Sequence, residues 1–189
     1  MLRNEEPFRP EPKPAQLGNH DTAVVVLDLS KRDEDPNRFT FALMKPVGDF
    51  LERARNRGVP IIYTVISTLK GTPGGDLPSY FKRRETEEPV IFPEAFDKFT
   101  GGELHDFLRR KNAKNIVVVG AATNVCVLYT ASAAAYTYRY NVIVPLDAVI
   151  CESKYRQEYA LHQLAVGLPP SVTIPIRFTK LALITFLGC

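Results

Sequence analysis

A chain of 189 residues with 45% hydrophobic and 24% charged residues has the make-up of one globular domain with a sizeable core. Its 24 basic and 21 acidic residues leave a formal charge of +3 without any long basic run, which argues against a nucleic-acid partner. Three cysteines without CxxC spacing argue against a disulfide framework, the polar start is unlike a signal peptide, and no apolar run approaches the roughly 20 residues that span a bilayer; a cytoplasmic protein with no membrane partner is expected.

Residues 1–20 read as an extended arm, because Pro7, Pro10, Pro12 and Pro14 block helix and sheet pairing alike. One domain then covers 21–189. Ala23 to Leu27 is a continuous apolar run of the kind that forms a strand buried on both faces. Leu43 to Arg57 has helical spacing through Val47, Phe50, Leu51 and Ala54, with Gly58 as its stop. Pro60 to Val65 predicts a second strand. From about Ser67 to Phe99 the glycines and prolines break any regular element, and so long a loop in a compact domain is usually functional or disordered. Glu103 to Arg110 predicts a short helix and Ile116 to Val119 a third buried strand. A helix from Thr123 to about Tyr138, a strand over Val142–Val144 and a helix over Lys154–Val166 follow. Val172 to Ile176 predicts a last strand, and a short helix is expected near Leu181–Phe186.

Apolar strands alternating with helices predict an α/β domain, a doubly wound and mostly parallel sheet with helices on both faces. Chemistry in such sheets sits beyond the carboxyl ends of the strands. Asp28, the loop at Ser67, the turn from Gly120 to Cys126 and Asp147 all follow strand ends. In that turn small residues leave a buried strand, Thr123 can cap the next helix, and Cys126 falls in its first turn. The positive end of the helix dipole and free backbone N–H groups there favour a thiolate nucleophile and an oxyanion site. A small core cysteine is the bland alternative. Asp28 closes a wholly apolar strand, a costly place for a carboxylate unless it is paired or at a crevice mouth; it is a base for a nearby thiol or a loop cap.

Ala23–Ser30 resembles the opening strand of the isochorismatase-like cysteine hydrolases, which ends in Asp-x-Gln. Phe99–Leu104 is similar to their Phe-x-x-Thr-x-Leu helix start, Gly120–Cys126 with Thr130-Ala131 to their Gly-x-x-Thr-x-x-Cys turn, and Val144–Ala148 to their strand ending in Asp-Ala. The likeness runs in order over about residues 21–187. It implies a Rossmann-like three-layer fold and a Cys–Asp–Lys triad, which hydrolyses small amides in nicotinamidases and carbamoylsarcosine amidases. By motif position Cys126 is the implied nucleophile and Asp28 the general base, and the backbone N–H groups of Ala122 and Cys126 hold the oxyanion beside a cis Ala121–Ala122 bond. It also implies a small-molecule substrate and a homo-oligomer, which the alanines at 131 and 133–135 allow by close packing within or between subunits.

The sequence departs from the family pattern where the triad Lys is expected. Phe92-Pro93 fall there, and neither carries charge. Lys98 is the nearest amine, and beside Phe99 it reads as a structural or surface residue, with replacement of the missing cation as the other option. Ser30 stands for the usual Gln and Gly102 for the usual Thr. Without a cation, Asp28 and a thiolate would be like charges in one crevice, and the thiol would be a poorer nucleophile. Phe92, Phe96, Phe99, Tyr80 and Tyr129 are expected either in the core or lining the pocket, and Phe92 at the old Lys position would suit an apolar ligand. No His follows the second strand, and His20, His105 and His162 are scattered, so neither a metal nor any cofactor is expected. Three functions follow: a cysteine-dependent hydrolase of a small amide or related compound, a ligand-binding or interaction protein that keeps the fold without turnover, and a nucleotide-binding domain, disfavoured by the lack of a Gly-rich fingerprint.

Overall fold

The computed structural model describes residues 8–166 and 176–188. Strands β1 (Ala15–Gly18), β2 (Thr22–Leu27), β3 (Ile61–Thr64), β4 (Val90–Ile91), β5 (Asn115–Ala121), β6 (Asn141–Pro145), β7 (Val149–Ile150), β8 (Ile176–Thr179) and β9 (Ile184–Leu187) alternate with helices. The helices are α1 (Met44–Arg55), α2 (Glu103–Arg110), α3 (Leu128–Ser132) and α4 (Lys154–Val166). The main sheet runs in the order β4-β3-β2-β5-β6-β8, with β7 also on β5, and every pairing among the described residues is parallel.

The chain winds outward from β2 to β3 and β4, then returns and winds the other way from β5 to β6 and β8. The strand order therefore reverses between β2 and β5, and a crevice opens beyond their carboxyl ends. Every residue of β2 is buried because both faces of the sheet are covered, which is why its apolar run does not alternate. Val24 and Val26 pack with Val47, Phe50, Leu51 and Ala54 of α1 on one face. Ala23 and Val25 pack with Leu104, Phe107 and Leu108 of α2 on the other, together with Ala131 of α3 and Leu164 of α4. The alanines 131, 134 and 135 are buried in this second layer, so that stripe is used within the subunit.

The helix predicted from Thr123 is continuous in path but uneven in winding. A π-helical turn (Thr123–Val127) leads into α3, and a second (Ala133–Thr137) leaves it. The loop from Ser67 to Phe99 contains short 3₁₀ turns and β4. It is tied to the domain by Arg55, whose Nε lies 2.6 Å from Glu88 Oε1 in a buried pair, while Tyr63 donates to Glu88 Oε2 at 3.0 Å.

Two expectations are corrected, and a third falls largely outside the described residues. The arm does pair as a sheet: Ala15–Gly18 follows the last of the four prolines and lies parallel to Ile184–Leu187. The expected helix near Leu181–Phe186 is instead one 3₁₀ turn (Leu181–Leu183) followed by β9, whose Ile184 and Phe186 point inward while Thr185 and Leu187 point out. That alternation is a strand period, and it joins the core through Phe186 against Phe50. The expected strand over Val172–Ile176 meets the described residues only at Ile176, where β8 begins; 172–175 lie outside them.

Candidate active site

Asp28 stands one residue beyond β2 and Cys126 in the turn after β5, so both face the crevice where the sheet order reverses. Gly120 makes the approach possible. It pairs with Leu27 across the two strands at φ +128, and a Cβ there would lie 2.1 Å from the Leu27 carbonyl oxygen. Only glycine fits that conformation and that gap. Asp28 itself adopts φ +50, a left-handed geometry that Asp tolerates better than most residues. Its backbone N–H donates to the Thr64 carbonyl at 3.0 Å, and the Thr64 hydroxyl donates to its Oδ1 at 3.2 Å.

With Oδ1 held by β3, Oδ2 faces the crevice. The Cys126 thiol donates to it at 2.7 Å, and the Lys98 ammonium lies 2.8 Å from the same oxygen. The Lys98 side chain is fully buried, and its Nζ also donates to the Ala95 carbonyl at 3.3 Å. Lys98 is therefore no surface residue, and the site contains the cation whose absence the sequence pattern predicts. Two neighbours fix it there. Phe99 is buried and stacks on Tyr138 with ring centroids 4.3 Å apart. The Thr130 hydroxyl accepts the Lys98 backbone N–H at 3.2 Å and donates to the Phe96 carbonyl at 3.3 Å. Thr130 lies four residues after Cys126 on one helical path, and that spacing is the sequence signal that links the 96–98 loop to the thiol.

The Cys126 thiol is pushed up to about 12, first by burial, then by the charge and hydrogen bond of Asp28. Lys98 and the Ala122 backbone hydrogen bond to the sulfur pull the other way and do not outweigh them. The expectation of a helix-stabilised thiolate thus gives way to a protonated thiol already pointed at a carboxylate. The Ala121–Ala122 peptide bond is cis, and both alanines line the cavity above the sulfur.

That cavity holds about 200 Å³, below the roughly 300–1,000 Å³ of pockets for drug-sized ligands. Besides Asp28, Cys126 and the two alanines, its walls include Phe39, Ile66 and Val125, with Arg32 and Arg38 among its polar groups. None of these five was singled out by the sequence. The aromatics that were lie elsewhere. Phe92, one residue beyond β4, lines a separate groove with Leu77 and Pro78, under Lys70 at 5.7 Å from its ring centroid. Tyr129 is 53% exposed on the outer side of α3, and Phe96 and Tyr80 are also exposed. Asp147 accepts the Leu181 N–H at 2.9 Å and serves as a loop cap. Ser30 and Gly102 each have a local reason. Ser30 donates its N–H and hydroxyl to Asp33, and Gly102 begins α2 at φ +85, where the Cβ of a Thr would be strained.

Residues 22–174 match the family model of the isochorismatase domain. The chain belongs to the isochorismatase family. Its members are isochorismatase-like hydrolases, and an uncharacterized isochorismatase family protein of Bacillus subtilis, YaaI, is 36% identical over 70 residues, 37% of this chain and 38% of that relative. The match thus spans well under half of the relative's length. Among solved structures, a cysteine hydrolase from Pseudomonas syringae superposes with a TM-score of 0.75 at 19% identity, covering 95% of each chain. The N-carbamoylsarcosine amidase of Thermoplasma acidophilum gives 0.68 at 23% identity, over 85% of this chain and 96% of that one. The pyrazinamidase/nicotinamidase of Streptococcus mutans gives 0.70 at 20%, over 84% and 99%. At these identities the likeness establishes the shared fold. Among the described residues, no helix is long and apolar enough to cross a membrane.

Proposed function

We propose that this family member hydrolyses a small amide, with Cys126 as nucleophile, Asp28 as general base and Lys98 as the cation that completes the triad. One observation carries the reading: the thiol and the ammonium converge on the same Asp28 oxygen, at 2.7 and 2.8 Å. A raised thiol pKa fits it, because a thiol that keeps its proton at rest needs a base in contact when it attacks.

Cys126 Sγ attacks the amide carbonyl carbon while its proton passes to Asp28, and the carbonyl π pair moves onto oxygen. The backbone N–H groups of Ala122 and Cys126 are the proposed donors to that oxyanion, and both residues line the cavity. The oxyanion collapses, the C–N bond breaks, and the leaving amine takes the proton from Asp28. Water then attacks the thioester and gives its proton to Asp28. The C–S bond breaks, the acid departs, and Asp28 returns the proton to sulfur. Lys98 orients Asp28 and offsets the negative charge that develops on sulfur. The competing reading, a binding protein without turnover, rested on a site lacking a cation, and the buried Lys98 stands against it.

Incubation with a panel of small primary amides tests the proposal. Ammonia release that vanishes in Cys126→Ala, together with a mass increment on Cys126 matching the acyl group, is the expected result. Turnover that survives Cys126→Ala would overturn it.

A further inference from the structure

We propose a second ligand site, for a phosphate group, in a cavity at the end of the sheet opposite the thiol. It goes beyond the hydrolase reading and does not depend on it. Asp28 and Cys126 follow the carboxyl ends of β2 and β5. The cavity lies ahead of the amino ends of β3, β4 and β5, where Gly58, Pro60, Glu88 and Lys111 line it. It holds about 380 Å³, inside the range of roughly 300–1,000 Å³ for small-ligand pockets. Three cations line it: Arg55, Arg84 and Lys111.

Arg55 is the fixed member. Its side chain is only 3% exposed. Nε donates to Glu88 Oε1 at 2.6 Å, and Nη2 donates to the Phe81 carbonyl at 2.7 Å and the Tyr63 hydroxyl at 2.9 Å. Nη1 is buried without a hydrogen bond among the described residues; Glu52, its nearest carboxylate, stays 3.5 Å away and half exposed. A buried donor left unpaired is costly, and a ligand oxygen would relieve it. The carboxylates of the cavity are poor competitors. Glu88 already accepts from Arg55 Nε and Nη2, from the Tyr63 hydroxyl and from the Arg84 N–H. Glu87 is exposed and lies 3.7 Å from Arg84 Nη1, an ion pair that solvent weakens.

The surroundings reinforce the charge. Arg57, Arg109, Arg110, Lys114 and Arg139 are exposed on the loops ahead of β3, β5 and β6, and none of them has an ion pair among the described residues. They outnumber Asp21 and Asp106 on the same loops, so the potential at this end draws anions. A phosphate ester carries close to two charges and three acceptor oxygens near neutral pH, which suits three cations better than a carboxylate does. Arg84 and Lys111 are exposed and able to close on it, over a guanidinium that is already ordered. Gly58, Val59 and Thr86 also line the cavity and leave room for a small polar body beyond the phosphate.

Titration calorimetry and thermal denaturation at fixed ionic strength test the site with ribose 5-phosphate, inorganic phosphate and ribose. Both phosphates should bind and raise the melting temperature, and ribose should do neither. Tighter binding of ribose 5-phosphate assigns the site to a phosphorylated metabolite, and equal binding assigns it to free phosphate. Arg84→Gln and Lys111→Gln should each weaken binding by about tenfold, the loss of one charge-assisted contact. Arg110→Gln, on the same face but outside the cavity, should change it by less than about twofold. Alkylation of Cys126 by iodoacetamide should stay within about twofold in all three variants, since exposed charges so far from the thiol are screened. Arg55→Lys would test the fixed cation but endangers the buried pair with Glu88, so the two exposed residues decide. No binding of either phosphate, binding that survives both Arg84→Gln and Lys111→Gln, or an equal loss in Arg110→Gln overturns the proposal.

Discussion

Lys98 and Cys126 do not meet as a pair; they meet through one atom, Asp28 Oδ2, which accepts from both at 2.8 and 2.7 Å. On the proposed mechanism one neighbour orients this carboxylate and the other gives up its proton to it.

Removing the cation should therefore disable the site and weaken the fold. Lys98→Met keeps the length of the stem but leaves Asp28 buried and unpaired, a change that costs about 3–5 kcal/mol for a buried ion pair. Amide hydrolysis should fall below detection. The thiol, having lost the neighbour that lowers its pKa, should alkylate still more slowly. Urea unfolding and iodoacetamide kinetics on the same preparation check both.

Asp28→Asn should separate reactivity from turnover. Asp28 raises the Cys126 thiol through its charge and hydrogen bond, while Lys98 lowers it. Without the carboxylate the ammonium remains beside the sulfur, and alkylation at neutral pH should accelerate by roughly tenfold or more, one unit of pKa being a factor of ten in thiolate. Hydrolysis should nevertheless disappear, because the base is gone. A slower alkylation rate in this variant would contradict the role assigned to Asp28.

Stability should carry the same signature at alkaline pH. The folded thiol titrates at about 12, whereas an unfolded cysteine titrates near about 8.5. As pH rises, the unfolded chain releases this proton first. The stabilisation linked to Cys126 is thus complete below about pH 8.5 and drains away as pH climbs toward about 12. Comparing the wild type with Cys126→Ala under reducing conditions isolates this group from the buried tyrosines. The stability difference between them should shrink between about pH 7 and pH 10.5, and a constant difference would count against a raised thiol.

Thr130→Val tests whether the hydroxyl between helix and loop positions Lys98. The substitution keeps the shape but orphans the Lys98 backbone N–H, a loss of about 1–3 kcal/mol. A fall in kcat with KM little changed is expected, and Thr130→Ser should restore it. Equal loss in both variants would assign Thr130 a packing role alone.

Gly120→Ala should be among the most damaging small changes in the chain. It forces a side chain into φ +128 and against the Leu27 carbonyl. Strain and overpacking together cost at least about 2 kcal/mol, which thermal denaturation would register as a large fall in melting temperature.

Much of the architecture was legible because buried parallel strands leave an unmistakable mark. Ala23–Leu27 and Ile116–Val119 read as strands from composition, and α1 declared its inner face through Val47, Phe50, Leu51 and Ala54. β9 was missed although its period of two was present, because its partner, Ala15–Gly18, comes from the other end of the chain and carries no cue to the pairing. Asp28 and Cys126 were readable from strand ends. Lys98 stood only as the nearest amine, one option for the cation, since a lysine beside Asp97 looks solvated; the hydrogen bond from its backbone to Thr130 and the anchoring of Phe99 bring it inside. Arg32 and Arg38 were hidden for a different reason: they line the cavity while sharing Asp33, an arrangement that no spacing encodes.

Asp28 and Cys126 are 98 residues apart in the chain, joined by the pairing of β2 with β5. No local segment contains a rudiment of the site, and contacts of such long range form only after a large loop has been closed. During synthesis or refolding the thiol is therefore an ordinary exposed cysteine until the two central strands zip together, and only then does it acquire its muted reactivity. A pulse of alkylating reagent during refolding would time that event, which makes Cys126 a built-in clock for the closure of the sheet.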